Sequence, residues 1–482
     1  MSHPHFDLLH SPIAGRILVE ASAGTGKTYT IAALVVRLIV EKGLEIESIL
    51  VVTFTEAATA ELRDRIRRRL VEALELFSSG SGSDDFLLPL YLRSLDRDDA
   101  RRRLQRALIS FDQAAIHTIH GFCQRILRDR AFEARALFDT ELVTDLADFE
   151  QQLADDFWRT RSTTFPPNFA DFLLRRNFGP DQLYSLQRCA RRAERILPDG
   201  AVPDLLGAEQ ACATRHAALS CSWTSHRAAI LADLHICAPG MHKTSYCLEK
   251  IVNAAAELDL YFSSGSLWGG DEGLKKFAAP KANKGKTAPS HSFFADCANF
   301  VAARAELSEL YSRALLALQR DFLLWHDSEA SKRKARQNLR TYDDLLSEVA
   351  SAVTTRSGAG LLQALQSSYQ AILIDEFQDT DPIQYTIFST LCPDARRTLF
   401  LIGDPKQAIY SFRGADIFTY LAATRHVEHH YTLGINYRSA PALVDAVSSL
   451  FARGNPFLFR EIPYPAVQGS AKNSEIALIE NP

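Results

Sequence analysis

Short, continuously apolar runs alternate with stretches of helical spacing at both ends of this chain. Ile17–Val19, Ile49–Thr53, Ala114–Ile116, Ala371–Ile374 and Leu399–Ile402 are such runs, and their brevity suits strands of a parallel sheet covered on both faces. Strand and helix patterns in alternation predict that residues 1–138 and 333–434 build one α/β unit. From residue 139 to about 332 the apolar spacing is mostly helical, so this stretch reads as an inserted, mainly helical domain. Inside it Ser263–Ser290 is rich in Gly, Lys, Ala and Pro, which predicts a mobile loop. Ser78–Asp85 predicts a second flexible spot.

With 482 residues, of which 46% are hydrophobic, the chain has ample material for buried cores and a length that suits two to four domains. A net charge of -4 supplies no global field for nucleic acid or an anionic membrane, so any nucleic-acid site must be a local patch. The eight cysteines are scattered without a CxxC pair, and no signal peptide or membrane-spanning run occurs. These features predict reduced thiols, no membrane association and a cytoplasmic location.

The strongest chemical signal is ASAGTGKT, running Ala21, Ser22, Ala23, Gly24, Thr25, Gly26, Lys27, Thr28 between a strand pattern and a helical one. Glycines let successive backbone N–H groups turn toward phosphate oxygens, and the helix that follows adds the positive end of its dipole. Lys27 is then placed for the terminal phosphates of ATP and Thr28 for Mg²⁺. A second apolar strand, AILIDEFQD, ends in Asp375 and Glu376. Asp375 suits the same Mg²⁺, and Glu376 suits the water that attacks the γ-phosphate.

Downstream, LIGDPKQAIYSFRGADIF places Gln407 where a neutral amide can sense a γ-phosphate. Tyr410, Phe412 and Arg413 offer stacking faces and a phosphate grip for single-stranded nucleic acid, although aromatic residues in such a run also serve as core. In LGINYRSAP, Tyr437 can cover a nucleobase and Arg438 can stabilise charge on the transferring phosphoryl group. The arginines between Arg63 and Arg69 cannot share one helix face, so most read as a solvated surface, as do Arg101, Arg102 and Arg103.

Read in order, EASAGTGKT, VVTFTEAATAELRDRIR, AAIHTIHGFCQRIL, ILIDEFQDTDPIQY, LIGDPKQAIYSFRGADIF and NYRSAP resemble the successive motifs of superfamily 1 DNA helicases of the UvrD type. The resemblance is strong at both ends and weak across the helical middle. It implies a P-loop NTPase (RecA-like) fold, ATP and Mg²⁺ as cofactors, and 3′ to 5′ movement. By the same resemblance Thr53, Phe54, Thr55, Thr118 and His120 match positions that contact single-stranded DNA, together with Tyr410, Phe412 and Arg413. Lys27, Thr28, Asp375, Glu376, Gln407, Tyr437 and Arg438 match the ATP site. The branch it is most similar to unwinds DNA from double-strand ends for recombinational repair, with gamma and alpha partner subunits and an associated nuclease.

The chain departs from the family in two places. No Gln that could read adenine precedes Ala21, and the sequence stops at Pro482, before the motifs of a second motor lobe. Residues 435–482 then read as the start of that lobe. The expectation is an N-terminal piece that binds ATP, hydrolyses it slowly, and neither translocates nor cuts DNA. A nucleotide-gated DNA-binding or scaffold module without turnover is the alternative.

Overall fold

The computed structural model describes residues 3–134, 140–190, 197, 205–242, 245–278, 280–409, 416–452, 456–457 and 459–473. Two compact units emerge, Met1–Thr144 with Asn338–Pro482, and Asp145–Gln337.

The first unit is built on six parallel strands, β1 (Gly15–Ala21), β2 (Ile49–Thr53), β3 (Ile116–Thr118), β4 (Ala371–Ile374), β5 (Thr398–Gly403) and β6 (His429–Leu433). Their order across the sheet is β3-β2-β4-β5-β1-β6. Residues two apart point to the same face, and each face has its own core. Ile17, Val19, Val51, Leu373, Phe400 and Ile402 pack with α1 (Lys27–Lys42) and α2 (Glu56–Ser79). Leu18, Leu50, Val52, Ile372, Ile374, Leu399 and Leu401 pack on the other side with α3 (Ile119–Asp129) and the helices Tyr342–Thr354 and Pro382–Leu391. Continuous apolar strands are therefore required at the centre, because both faces of β1, β2, β4 and β5 are covered.

The third strand lies slightly beyond the expected Ala114–Ile116. Val51 pairs with Ile116 and Thr53 with Thr118, while Ala114 and Ala115 are buried in the lead-in. β6 adds a sixth strand that the apolar-run criterion passed over, because HHYTL mixes polar and aromatic residues; it pairs with β1 from Ile17↔His429 to Ala21↔Leu433.

The second unit is helical. Its principal helices are Ala147–Ser162, Leu206–Cys237, Leu248–Ser264 and Ser292–Arg336. Trp223, Phe277, Phe293, Phe300 and Tyr311 form its main core, and Phe157, Leu183 and Phe322 anchor a smaller one.

Ser263–Ser290 is only in part the loop that its composition predicts: residues 280–290 are irregular and mostly exposed, but the segment before them packs. Helix Asp271–Phe277 forms within it, Leu274 and Phe277 are fully buried, and the Trp268 indole N–H donates to the Asn168 carbonyl. Large apolar residues are sparse there, but Leu267, Trp268, Leu274 and Phe277 pack into the helical core or against it, which outweighs the glycines and lysines around them. Ser78–Asp85 is likewise anchored at both ends. α2 runs to Ser79, and Asp84 binds Arg69.

Candidate nucleotide site and strand-contact surface

All the motif-bearing loops leave the carboxyl edge of the sheet, because parallel strands end on one side. β1 runs into the glycine-rich loop. Gly24 and Gly26 take positive φ values of 77° and 89°, and Gly26 caps α1. Both conformations favour glycine. Space also excludes a side chain at Gly24, since its Cβ would lie 2.7 Å from that of Arg438. Thr25 ties the turn by donating from its hydroxyl to the Ser22 carbonyl at 2.7 Å.

β5 separates β1 from β4, yet the loops beyond them meet. Lys27 Nζ donates to Glu376 Oε2 at 2.6 Å. Glu376 sits in the left-handed region at φ 51°, an unusual conformation for a non-glycine residue. The Gln378 side-chain amide donates to the same Oε2 at 2.9 Å, and the Glu376 amide N–H donates to Asp375 Oδ1 at 3.0 Å. Burial, then the neighbouring Glu376, pushes the Asp375 carboxyl up to about 6, and burial followed by Glu376 does the same at Asp379. Crowded, desolvated carboxylates of this kind are a site for a cation. Among the described residues no three His, Cys, Asp or Glu side chains form a metal cage. The Thr28 hydroxyl and the Asp375 carboxylate are oxygen donors that would suit Mg²⁺ if nucleotide phosphates supplied the rest.

At the end of β5, Gln407 donates to Asp404 Oδ2 at 2.7 Å, and Lys406 Nζ lies 2.6 Å from Oδ1. From beyond β6, Tyr437 and Arg438 approach the glycine-rich loop. The Tyr437 amide N–H donates to the Gly24 carbonyl at 2.8 Å, while both side chains remain exposed. Tyr29 and Tyr437 flank Gly26. Asn436 is the residue that the motif reading missed. Its side-chain amide donates to the Ala23 carbonyl at 2.9 Å, and its oxygen accepts from the N–H groups of Arg438 and Ser439. Its only sequence signal is its place before the Tyr-Arg pair.

The residues matched to strand contacts divide by exposure. Thr55 is exposed at the start of α2, where its hydroxyl accepts from Ala58 N–H; Phe54 is half-buried. Thr53 is 0% exposed inside β2, and its buried hydroxyl oxygen has no hydrogen-bond partner among the described residues. Thr118 is buried as well. Its buried hydroxyl donates to Glu56 and accepts from Gly121 N–H, a helix cap that uses it internally. His120 is half-buried with its ring edge-on to Tyr342, and burial lowers its pKa. Tyr410, Phe412 and Arg413 lie outside the described residues.

The arginines of α2 also separate. Arg65 and Arg68 make surface pairs with Glu61 and Asp64. Arg69 is buried, binding both oxygens of Asp84, Glu72 and the Tyr29 hydroxyl. Arg101, Arg102 and Arg103 lie within salt-bridge distance of Asp98 or Asp99.

The family model described as the UvrD/REP helicase N-terminal domain matches residues 7–428. The chain is 36% identical to the RecBCD enzyme subunit RecB of Escherichia coli (strain K12) over 98% of its own length and 41% of that relative's. It is 32% identical to the subunit of the same name from Haemophilus influenzae, over 93% of this chain and 41% of the relative. The corresponding subunit of Chlamydia trachomatis serovar D is 30% identical over 92% of this chain and 43% of the relative. The chain thus spans about two fifths of the length of these curated relatives.

Proposed function

The chain belongs to the UvrD/REP helicase family, and we propose that it is the ATP-binding part of a RecB-like motor, the beta-subunit type of exodeoxyribonuclease V. That motor unwinds DNA from double-strand ends for repair. The contact between Lys27 and Glu376 carries this reading. It brings a lysine from the glycine-rich loop to a carboxylate at a strand end, the pair that a hydrolysing site needs for phosphate and for the attacking water.

Lys27 exchanges Glu376 for the β- and γ-phosphates when ATP binds, and Glu376 is released to orient water. The water oxygen attacks the γ-phosphorus, the bond to the β–γ bridging oxygen breaks, and Glu376 takes the proton. Thr28 and Asp375 would hold Mg²⁺, which would supply charge neutralisation at the phosphates. Gln407 senses the γ-phosphate, Tyr437 stacks on adenine, and Arg438 stabilises the transferring group. Phe54, Thr55 and His120 lie along the edge where a single strand would pass, and movement is 3′ to 5′. The helical unit reaches the duplex ahead of the fork. RecC-like and RecD-like subunits are the partners.

The test is ATP hydrolysis with and without single-stranded DNA, beside Lys27→Ala and Glu376→Gln. A DNA-stimulated rate lost in both variants supports the motor reading. If Glu376→Gln behaves as the parent chain does in nucleotide and DNA binding and the parent shows no turnover, the chain is a scaffold module instead.

A further inference from the structure

Gln378 is 2% exposed and every polar atom of its side chain is engaged. Nε2 donates to Glu376 Oε2 at 2.9 Å and to Asp379 Oδ2 at 3.2 Å, and Oε1 accepts from the Asp404 amide N–H at 2.9 Å. The orientation of this amide follows from its partners, since a backbone N–H can only donate and ionised carboxylates can only accept. Gly403 is built around it. A Cβ at Gly403 would lie 2.5 Å from Gln378 Oε1 and 3.0 Å from Phe377 N.

The amide therefore joins two strand ends. On one side is Glu376, already held by Lys27; on the other is Asp404, whose carboxylate binds Gln407 and Lys406. The contacts run unbroken from Gln407 through Asp404 and Gln378 to Glu376. We propose that Gln378 is a positioning residue for ATP hydrolysis, holding Glu376 in its strained backbone conformation and coupling it to the segment that senses the γ-phosphate. This rests on the ATPase reading above.

A neutral amide is the side chain that fits. Glu at this position would add a buried carboxylate beside the half-buried Glu376 and the buried Asp379, and Met would fill the space with no hydrogen bond. Because the Gln378 substitution leaves the Lys27–Glu376 ion pair itself in place, misplacement of the carboxylate should lower the rate far more than it changes ATP affinity.

The experiment is single-turnover ATP hydrolysis with the chain in excess over ATP and single-stranded DNA present, with affinity taken from titration of a fluorescent ATP analogue. Gln378→Met is expected to slow hydrolysis by roughly 10- to 100-fold with affinity within about twofold. Gly403→Ala, which leaves the amide chemically intact but displaces it, should repeat that split and provides the second route if Gln378→Met does not fold. In a Glu376→Gln background the Gln378 substitution should add nothing further, because both act through one group. Unchanged hydrolysis in both variants overturns the proposal, as does an equal further loss in the Glu376→Gln background. A parent rate no greater than that of Lys27→Ala would instead remove the ATPase reading and this inference with it.

Discussion

Lys27 and Glu376 hold each other at 2.6 Å across the end of β5, a lysine from the first helix and a carboxylate from the fourth strand. Each is the other's counter-ion in the absence of phosphate. On the ATPase reading proposed above, nucleotide binding would be an exchange of partners, in which ATP competes with Glu376 for Lys27.

That competition separates two substitutions. Lys27→Ala should weaken ATP binding at least about tenfold, the scale of one lost charge-assisted hydrogen bond. Glu376→Gln should bind ATP a few-fold more tightly, since Lys27 is freed, while hydrolysis falls by roughly 10²- to 10⁴-fold. Titration with a fluorescent ATP analogue checks the affinities. Weaker binding by Glu376→Gln would show that the ion pair assembles the site rather than competing for it.

Asn436→Ala removes the tie to the Ala23 carbonyl and the acceptor for the Arg438 and Ser439 N–H groups. A destabilisation of about 1–2 kcal/mol is expected, along with roughly tenfold weaker ATP binding as the loop loses its preorganised turn. Thermal melting and nucleotide titration on the same sample measure both effects.

Arg69 and Arg68 are neighbours in the sequence with opposite fates. Arg69→Met leaves Asp84 and Glu72 without their buried partner and should cost about 2–3 kcal/mol, reduced from a fully buried pair because Asp84 is partly exposed. Arg68→Ala breaks only a surface pair and should change stability by less than about 0.5 kcal/mol. Urea denaturation of the two variants is the comparison. Equal effects would refute the assignment of Arg69 as a structural residue.

His117 links stability to pH. Burial, with the Arg125 and Arg63 guanidiniums adding to it, pushes its pKa from 6.5 down to about 4. Between those values the unfolded chain takes up a proton that the folded chain refuses. The contribution is complete above pH 6.5 and is lost as pH falls toward 4. His117→Gln should therefore lose less melting temperature between pH 7 and pH 5 than the parent chain does. Parallel losses would show that the ring is protonated in the fold.

Much of the candidate nucleotide site is legible in the sequence because the chemistry it would serve is local. Ala21–Gly26 must be small, flexible and followed by Lys-Thr whatever surrounds them, and Asp375–Glu376 must end an apolar strand. The strand-contact candidates are less plain, since a Thr in a motif reads the same whether it is exposed, as at Thr55, or buried, as at Thr118, and the hydroxyl of each caps a helix. Composition misled at Ser263–Ser290, where four apolar residues, Leu267, Trp268, Leu274 and Phe277, pack into the helical core or against it.

The sequence by itself determined the parallel α/β sheet, the family, and the residue types available for nucleotide chemistry, because strand burial and phosphate binding constrain neighbouring residues directly. Only the tertiary structure decided which of those residues meet. Lys27 reaches Glu376, Gln378 reaches Asp404, and Asn436 reaches Ala23, 413 residues away along the chain. Such contacts depend on strand order and on side-chain orientation after folding, and no local pattern encodes either.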